Sequence, residues 1–233
     1  MHVILMGAQG SGKGTQAARL APRLHLQHLS TGELFRAAIA LGSPVGLEIE
    51  AAYDRGDLIS DDLAVRLVGE SLEDLDEVKL GGEDVRGALF DGFPRTVNQA
   101  KGLGHLLTSR GEEITVVVEL VVPMERLVTR LAGRWVCPVC GTTYHLEFNP
   151  PAVQGRCDLC DTDLIQREDD KPEPIKRRLA LYFEQTAPVL SFYSERGMLV
   201  QVNGDQPIDR VTTMIQKEIR SRSERMGQKV GQD

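Results

Sequence analysis

The sequence predicts an α/β protein, a parallel β-sheet with helices on both faces. Three observations predict it. Short apolar runs rich in β-branched residues recur along the chain and alternate with longer amphipathic stretches. The first run, HVILM, passes directly into a glycine-rich turn followed by a helix-forming segment, the strand–loop–helix unit of such sheets. A chain of 233 residues, 41% of them hydrophobic, can bury one sizeable core without a second domain.

The elements follow in order. His2 to Met6 reads as a buried strand, and residues 13–24 as a helix. Ser30-Thr31-Gly32-Glu33 starts a helix reaching about Leu41. Ser43 as N-cap and Pro44 at the first helical position restart one. Ser60-Asp61-Asp62 caps another, to about Leu75. Residues 73–87 are acidic and contain glycine, which predicts a surface loop. Ala88 to Asp91 is a second strand, and Thr96 opens a helix to about Ser109. Ile114 to Val122 is continuous and β-branched, a strand buried on both faces. Pro123 opens a helix ending near Gly133. Pro174 to about Arg196 reads as one long helix bent near Pro188. Met198 to Val202 is the last strand. Asp205-Gln206-Pro207 then starts a helix whose apolar stripe is Ile208, Val211, Ile215 and Ile219. Beyond Arg222 the chain is polar and expected to fray.

A net charge of −7 argues against nucleic acid or an anionic membrane as partner. No apolar run approaches the roughly 18 to 20 residues of a membrane helix. The apolar start lacks the basic leader of a signal peptide. The expectation is a cytoplasmic protein.

Two motifs carry chemistry. GAQGSGKGT, Gly7 to Thr15, nearly spells the phosphate-binding P-loop G-x-x-x-x-G-K-[ST]. Its backbone N–H groups, at Gly10, Ser11, Gly12, Gly14 and Thr15 among others, converge on phosphate oxygens, and Lys13 neutralises them. Gly14 stands where a hydroxyl would hold Mg²⁺, and Thr15 comes one place late. The second motif is CPVC…CDLC, with Cys137, Cys140, Cys157 and Cys160 spaced C-x₂-C-x₁₆-C-x₂-C. Paired knuckles of this kind close a tetrahedral thiolate site, typically structural Zn²⁺. Fe or Co suits four thiolates as well.

The form G-x-x-G-x-G-K-G-T resembles the loop of nucleoside monophosphate kinases, and most closely that of the adenylate kinase family. LSTGELFR, Leu29 to Arg36, and DGFPRTVNQA, Asp91 to Ala100, resemble the same family, which the chain matches from Met1 to about Ile219 apart from the acidic stretch near 73–87. Gln9 departs from it, standing where the family often has Pro; this alters loop stiffness more than chemistry. The resemblance implies phosphoryl transfer from Mg·ATP to AMP giving two ADP, by a monomer, with Mg²⁺ travelling on the nucleotide. It implies an ATP site at the P-loop with Arg134, Thr143, Tyr144 and Gln206. It implies an AMP site of Thr31, Arg36, Leu58, Ile59, Ser60, Gly92, Phe93, Pro94, Arg95, Gln99, Arg167 and Arg178. Lys13, Asp91, Arg95, Arg130, Arg134, Arg167 and Arg178 are the expected catalytic set, with Asp169 and Asp170 pairing the arginines or acting at a hinge. Arg130 and Arg134, four apart, are expected on one helix face or its continuation.

The implied architecture is a P-loop core (1–29, 61–132, 171–222) with three additions: an AMP-binding helical insertion (30–60), a metal-bearing lid (133–170) and a polar tail (223–233). His145 is expected to pack the lid rather than to bind metal. No nucleophile or essential general base is expected, because phosphoryl transfer needs positioning and charge neutralisation. Three alternatives compete: a kinase for UMP or CMP, an ATP-driven nucleic-acid binder with a zinc ribbon, and a nucleotide switch. The acidic net charge weighs against the second and Gly14 against the third.

Overall fold

A computed structural model describes residues 1–42, 44–55, 59–167 and 170–230. Five parallel strands form the central sheet: β1 (His2–Met6), β2 (Leu26–Ser30), β3 (Gly87–Asp91), β4 (Ile114–Val121) and β7 (Leu199–Asn203), in the order β2-β3-β1-β4-β7. Side chains alternate between faces along each strand. Ile4, Met6, Phe90 and Val117 pack on one side with α4 (Asp61–Leu80), α5 (Val97–Ser109) and α8 (Ala187–Ser194). Val3, Leu5, Leu89, Val116 and Val118 pack on the other with α1 (Lys13–Leu24) and α9 (Ile208–Val230). Parallel pairing sets Leu5 opposite Asp91, so the P-loop after β1 and the acid ending β3 meet at the carboxyl edge.

Between β2 and α4 lie α2 (Thr31–Ala40) and α3 (Pro44–Arg55). After β4 come α6 (Met124–Ala132) and a small antiparallel pair, β5 (Arg134–Val136) with β6 (Thr143–His145), whose connection holds Cys137 and Cys140 and which Cys157 and Cys160 follow. The chain returns through α7 (Pro172–Leu181) to α8. Among the described residues no helix is long and apolar enough to cross a membrane.

Several expectations need correction. β2 has no counterpart in the sequence reading: LQHLS is an edge strand that buries only Leu26 and Leu29, so no apolar run announces it. Residues 73–80 are not loop but the last turns of α4. Leu72 and Leu75 are fully buried, and the acidic residues between them lie on the outer face, where Arg110 pairs with Asp76 and Lys79 with Glu112 (3.1 Å). The expected irregularity near Pro188 is present, as a π-helical turn over Tyr182–Thr186. Pro188 lacks an N–H and its ring crowds the carbonyl of Glu184, so the wider turn comes just before it. α9 runs on to Val230 where fraying was expected. Ser43, the expected cap of α3, lies outside the described residues, as do Leu58 and Asp169.

Candidate functional site

The P-loop turns from β1 into the N-terminus of α1, the positive end of that helix. Lys13 folds back over the loop, its Nζ donating to the carbonyls of Gly7 (2.7 Å) and Ala8 (3.0 Å). Burial lowers its pKa to about 8; Asp91 opposes this, and Arg95, Arg178 and Arg134 add to it. Charges from the end of β3, the loop after it, β5 and α7 therefore act on one ammonium. The missing hydroxyl at position 14 has a steric reason. A Cβ on Gly14 would lie 3.3 Å from Asp91 Oδ2, so the glycine leaves room for the strand-end carboxylate. His28, at the other side of that carboxylate, brings Nε2 within 3.6 Å of Oδ2; the sequence reading missed it.

The segment after Asp91 is organised by one carbonyl. Gly92 O accepts from Thr31 Oγ1 (3.0 Å) and from Arg95 Nε (2.9 Å). Gly92 has φ 80°, and a Cβ there would come within 3.1 Å of the Thr31 hydroxyl, so only glycine serves. The Arg95 amide donates to Gln99 Oε1 (2.7 Å), and the Gln99 amide to Thr96 Oγ1 (3.1 Å). Thr31 and Gln99 are both buried. The Thr31 hydroxyl can still accept a hydrogen bond and the Gln99 NH₂ can still donate one. Phe93 and Pro94 are buried beneath this turn. Arg36 is exposed, its guanidinium lying over Gly32. Ile59 is buried in the core, and Ser60 is exposed at the N-cap of α4.

The arginines divide into two groups. Asp170, 1% exposed, accepts two hydrogen bonds from Arg134, the Nε one at 2.7 Å, and a longer one from Arg178 Nη1 at 3.4 Å. The Asp170 amide donates to the carbonyl of Arg167 (3.1 Å), which keeps Arg167 in the same turn. One buried carboxylate thus holds guanidinium groups from β5 and α7 together, a geometry that forked donors suit. Arg134 lies on β5, so it does not continue the α6 face that carries Arg130. Arg130 instead donates to Gly204 O (3.0 Å) and Asp205 Oδ1 (3.1 Å). Burial lowers its pKa. Gly204 packs against the P-loop, where a Cβ would sit 3.3 Å from Ser11 O, and Gln206, two residues on, is half-buried. Arg126 and Arg130 stand 5.3 and 5.9 Å from the centre of the Phe148 ring, which stacks on His145 (4.5 Å). His145 therefore packs the cysteine module onto α6, and Phe148 is a second residue the sequence reading did not single out.

The four cysteine sulfurs lie within 4.8 Å of one another. Three of the spacings are 3.3 Å (Cys137–Cys160), 3.5 Å (Cys140–Cys157) and 3.8 Å (Cys140–Cys160). Zn–S bonds of about 2.3 Å in a tetrahedron set sulfurs about 3.8 Å apart, so the arrangement fits such an ion. All four thiols are free. Tyr144 is 4% exposed and turned into this cluster with Cys137, Cys157 and Leu164; Thr143 beside it is half-buried. The Tyr144 hydroxyl lowers the Cys157 thiol to about 6. A separate groove of about 570 Å³ between α4 and α5, lined by Asp61, Arg66, Glu70 and Asn98 among others, gathers none of the candidate residues.

Comparison with known proteins agrees with this geometry. The adenylate kinase family model matches residues 5–198. An adenylate kinase from Oceanobacillus iheyensis is 47% identical over 211 residues, covering 91% of this chain and 95% of the relative. One from Moorella thermoacetica is 45% identical over 216 residues, covering 92% and 96%. One from Symbiobacterium thermophilum is 45% identical over 221 residues, covering 95% and 99%.

Proposed function

Because the chain belongs to the adenylate kinase family and so interconverts Mg·ATP plus AMP with two ADP, we propose that the transfer is direct and runs across the carboxyl edge of the sheet. The observation that carries this is the set of charges acting on Lys13: Asp91, Arg95, Arg178 and Arg134, drawn from four segments of the chain.

In this reading the N–H groups of Gly10, Ser11, Gly12, Gly14 and Thr15 hold the ATP phosphates, and Lys13 leaves its own carbonyls for them. Arg130 and Gln206 border the ATP side. Thr143 is the β6 residue left to touch ATP, since the Tyr144 side chain is turned inward. Arg95 and exposed Arg36 bind the AMP phosphate. Thr31 and Gln99 read its base, and Gly92, Phe93, Pro94, Leu58, Ile59 and Ser60 shape the pocket. Arg134, Arg167 and Arg178, gathered by Asp170, neutralise the travelling phosphoryl group. Asp91 holds Mg²⁺ through water, and the ion supplies charge neutralisation between the phosphates.

The reading further divides the chain into core (1–29, 61–132, 171–222), AMP-binding segment (30–60), lid (133–170) and tail (223–233). The lid closes over ATP and carries a structural metal on Cys137, Cys140, Cys157 and Cys160. Zn²⁺ is the proposed metal, and elemental analysis distinguishes it from Fe or Co. We place the enzyme in the cytoplasm, acting as a monomer.

A coupled assay of ADP formation with AMP, UMP, CMP and GMP tests substrate choice. AMP is expected to be preferred by a wide margin in kcat/KM; equal use of UMP or CMP would overturn the base-reading role of Thr31 and Gln99. Transfer from ATP chiral at the γ-phosphorus is expected to invert configuration, and net retention would overturn direct transfer.

A further inference from the structure

The two cysteine knuckles repeat each other bond for bond. In the first, the Cys137 amide donates to Thr142 O (2.9 Å) and the Gly141 amide to Cys137 O (3.1 Å); in the second, the Cys157 amide donates to Thr162 O (2.9 Å) and the Asp161 amide to Cys157 O (2.9 Å). Gly141 (φ 73°) and Asp161 (φ 56°) occupy matching left-handed positions. Each knuckle also sets a threonine hydroxyl beside its second sulfur: Thr142 Oγ1 is 3.1 Å from Cys140 Sγ and Thr162 Oγ1 is 3.3 Å from Cys160 Sγ. The sequence signal is Cys-x-x-Cys-x-Thr, read twice.

One contact breaks the symmetry. Tyr144, on β6 after the first knuckle, reaches across to the second, where its hydroxyl lies 3.5 Å from Cys157 Sγ. The Asp158 amide donates to the same hydroxyl oxygen at 2.8 Å. A phenol has one proton, and an oxygen already accepting from an amide directs that proton elsewhere. Both groups are buried, so water does not compete for it. The geometry points to Tyr144 as a donor to the Cys157 thiolate, acting with Thr142 and Thr162 to hold a tetrathiolate metal site rather than to bind ATP. This rests on the metal reading of the lid.

The physical case is charge. Four thiolates around a divalent ion leave a net charge of about −2 in a module that buries little surface. Three hydroxyl donors spread that charge and fix the sulfurs. Tyr144 does more than either threonine, because its ring is locked in the module's core and it ties the β5–β6 hairpin to the opposite knuckle. Partners of this kind commonly change metal affinity by about 10- to 100-fold when removed.

The test uses full-length protein and three substitutions, Tyr144→Phe, Thr142→Val and Thr162→Val. Zn²⁺ affinity is measured by competition with a chromophoric chelator. The thiolate-to-metal charge-transfer band is recorded on Co²⁺-substituted protein, and KM for ATP is measured in parallel. Tyr144→Phe is expected to weaken Zn²⁺ binding by about 10- to 100-fold, to move the Co²⁺ band to longer wavelength, and to leave KM for ATP unchanged. Each threonine variant is expected to show a smaller loss in the same direction. Unchanged Zn²⁺ affinity and an unmoved band in Tyr144→Phe would overturn the assignment while leaving the metal reading intact. A raised KM for ATP with unchanged metal affinity would return Tyr144 to the nucleotide site. A parent protein that retains no Zn²⁺ or Co²⁺ would overturn the metal reading and this inference with it.

Discussion

The sheet edge and the cysteine module gather charge on very different foundations. Lys13 and Asp91 stand on a helix and a strand, and Arg95 on the loop between β3 and α5, over a sheet whose inner residues, Ile4, Leu5, Leu89 and Phe90 among them, are at most 1% exposed. The module has a small buried set of Cys137, Tyr144, Cys157 and Leu164, and it leaves Val139, Leu146, Val153 and Leu159 in solvent. Burial of this extent holds the first region together unaided, whereas so small an apolar set does not sustain an independent fold. The difference teaches a division of labour. The phosphate-binding loop is assigned to the region stabilised by packing, and the covering segment, which brings Arg134 and Arg167 to it, is assigned a metal in place of a core. Asp170, buried between Arg134 and Arg178, bonds side chains from both.

The largest expected effect tests that junction. Lys13→Met and Arg134→Ala should each lower turnover by roughly 10³-fold or more, by analogy with arginines that neutralise a transferring phosphoryl group. Lys13→Met should leave the melting temperature nearly unchanged, whereas Arg134→Ala should also lower it, because it takes two hydrogen bonds from buried Asp170. Steady-state kinetics checks this, and an Arg134→Ala enzyme within a few fold of the parent would detach the module from the chemistry.

The next effect concerns the scaffold alone. His2, fully buried at the amino end of β1, is held down to about 4 by burial, partly offset by Glu112. An unfolded histidine takes up its proton below about pH 6.5 while the folded one does not. This stability is therefore complete above pH 6.5 and is lost as pH falls towards 4, by about 3 kcal/mol at most. Glu112 extends the loss. Against its own burial, hydrogen bonds from Lys79 and Arg110 hold it at about 2, so its contribution disappears between pH 4.5 and 2. Urea unfolding of metal-free protein across this range should show the slope, and His2→Phe should flatten its upper part.

A smaller effect sharpens the role of Lys13. Its lowered pKa means that the free enzyme loses this charge as pH rises through about 8. The kcat/KM for ATP, which reports groups of the free enzyme, should fall about tenfold per pH unit above that point. Saturating ATP should shift the fall in kcat to higher pH, because bound phosphate favours the ammonium. The smallest effect is in base reading: Thr31→Ala or Gln99→Ala should raise the KM for AMP several fold, with less change in turnover.

What was legible in the sequence follows the same division. Central strands rich in β-branched apolar residues, such as Ile114–Val121, announce themselves because most of their side chains on both faces are buried. The P-loop and the cysteine knuckles are legible because their chemistry depends on local spacing. The edge strand Leu26–Ser30 was not, because one partner strand demands few apolar residues. The acidic end of α4 was misread because its partners, Arg110 and Glu112, are distant in sequence. The inward turn of Tyr144 was hidden for the same reason, since it depends on a cysteine 13 residues away. That Asp170 joins two arginines was foreseeable in kind, but the choice of Arg134 and Arg178 needed the fold.

The most direct test of the account assays the metal-stripped enzyme well below its melting temperature, with amide hydrogen exchange followed on the same sample. The account predicts a lower melting temperature, rapid exchange across residues 133–167 and protected amides in β1, β3 and β4. Phosphoryl transfer should persist, reduced less steeply than stability. Four thiolates on Zn²⁺ contribute roughly 10 to 16 kcal/mol of apparent binding energy in small zinc-finger peptides, so the stability change should be plain. Complete loss of phosphoryl transfer with residues 133–167 still protected would contradict it, because the metal would then belong to the chemistry and not to the fold.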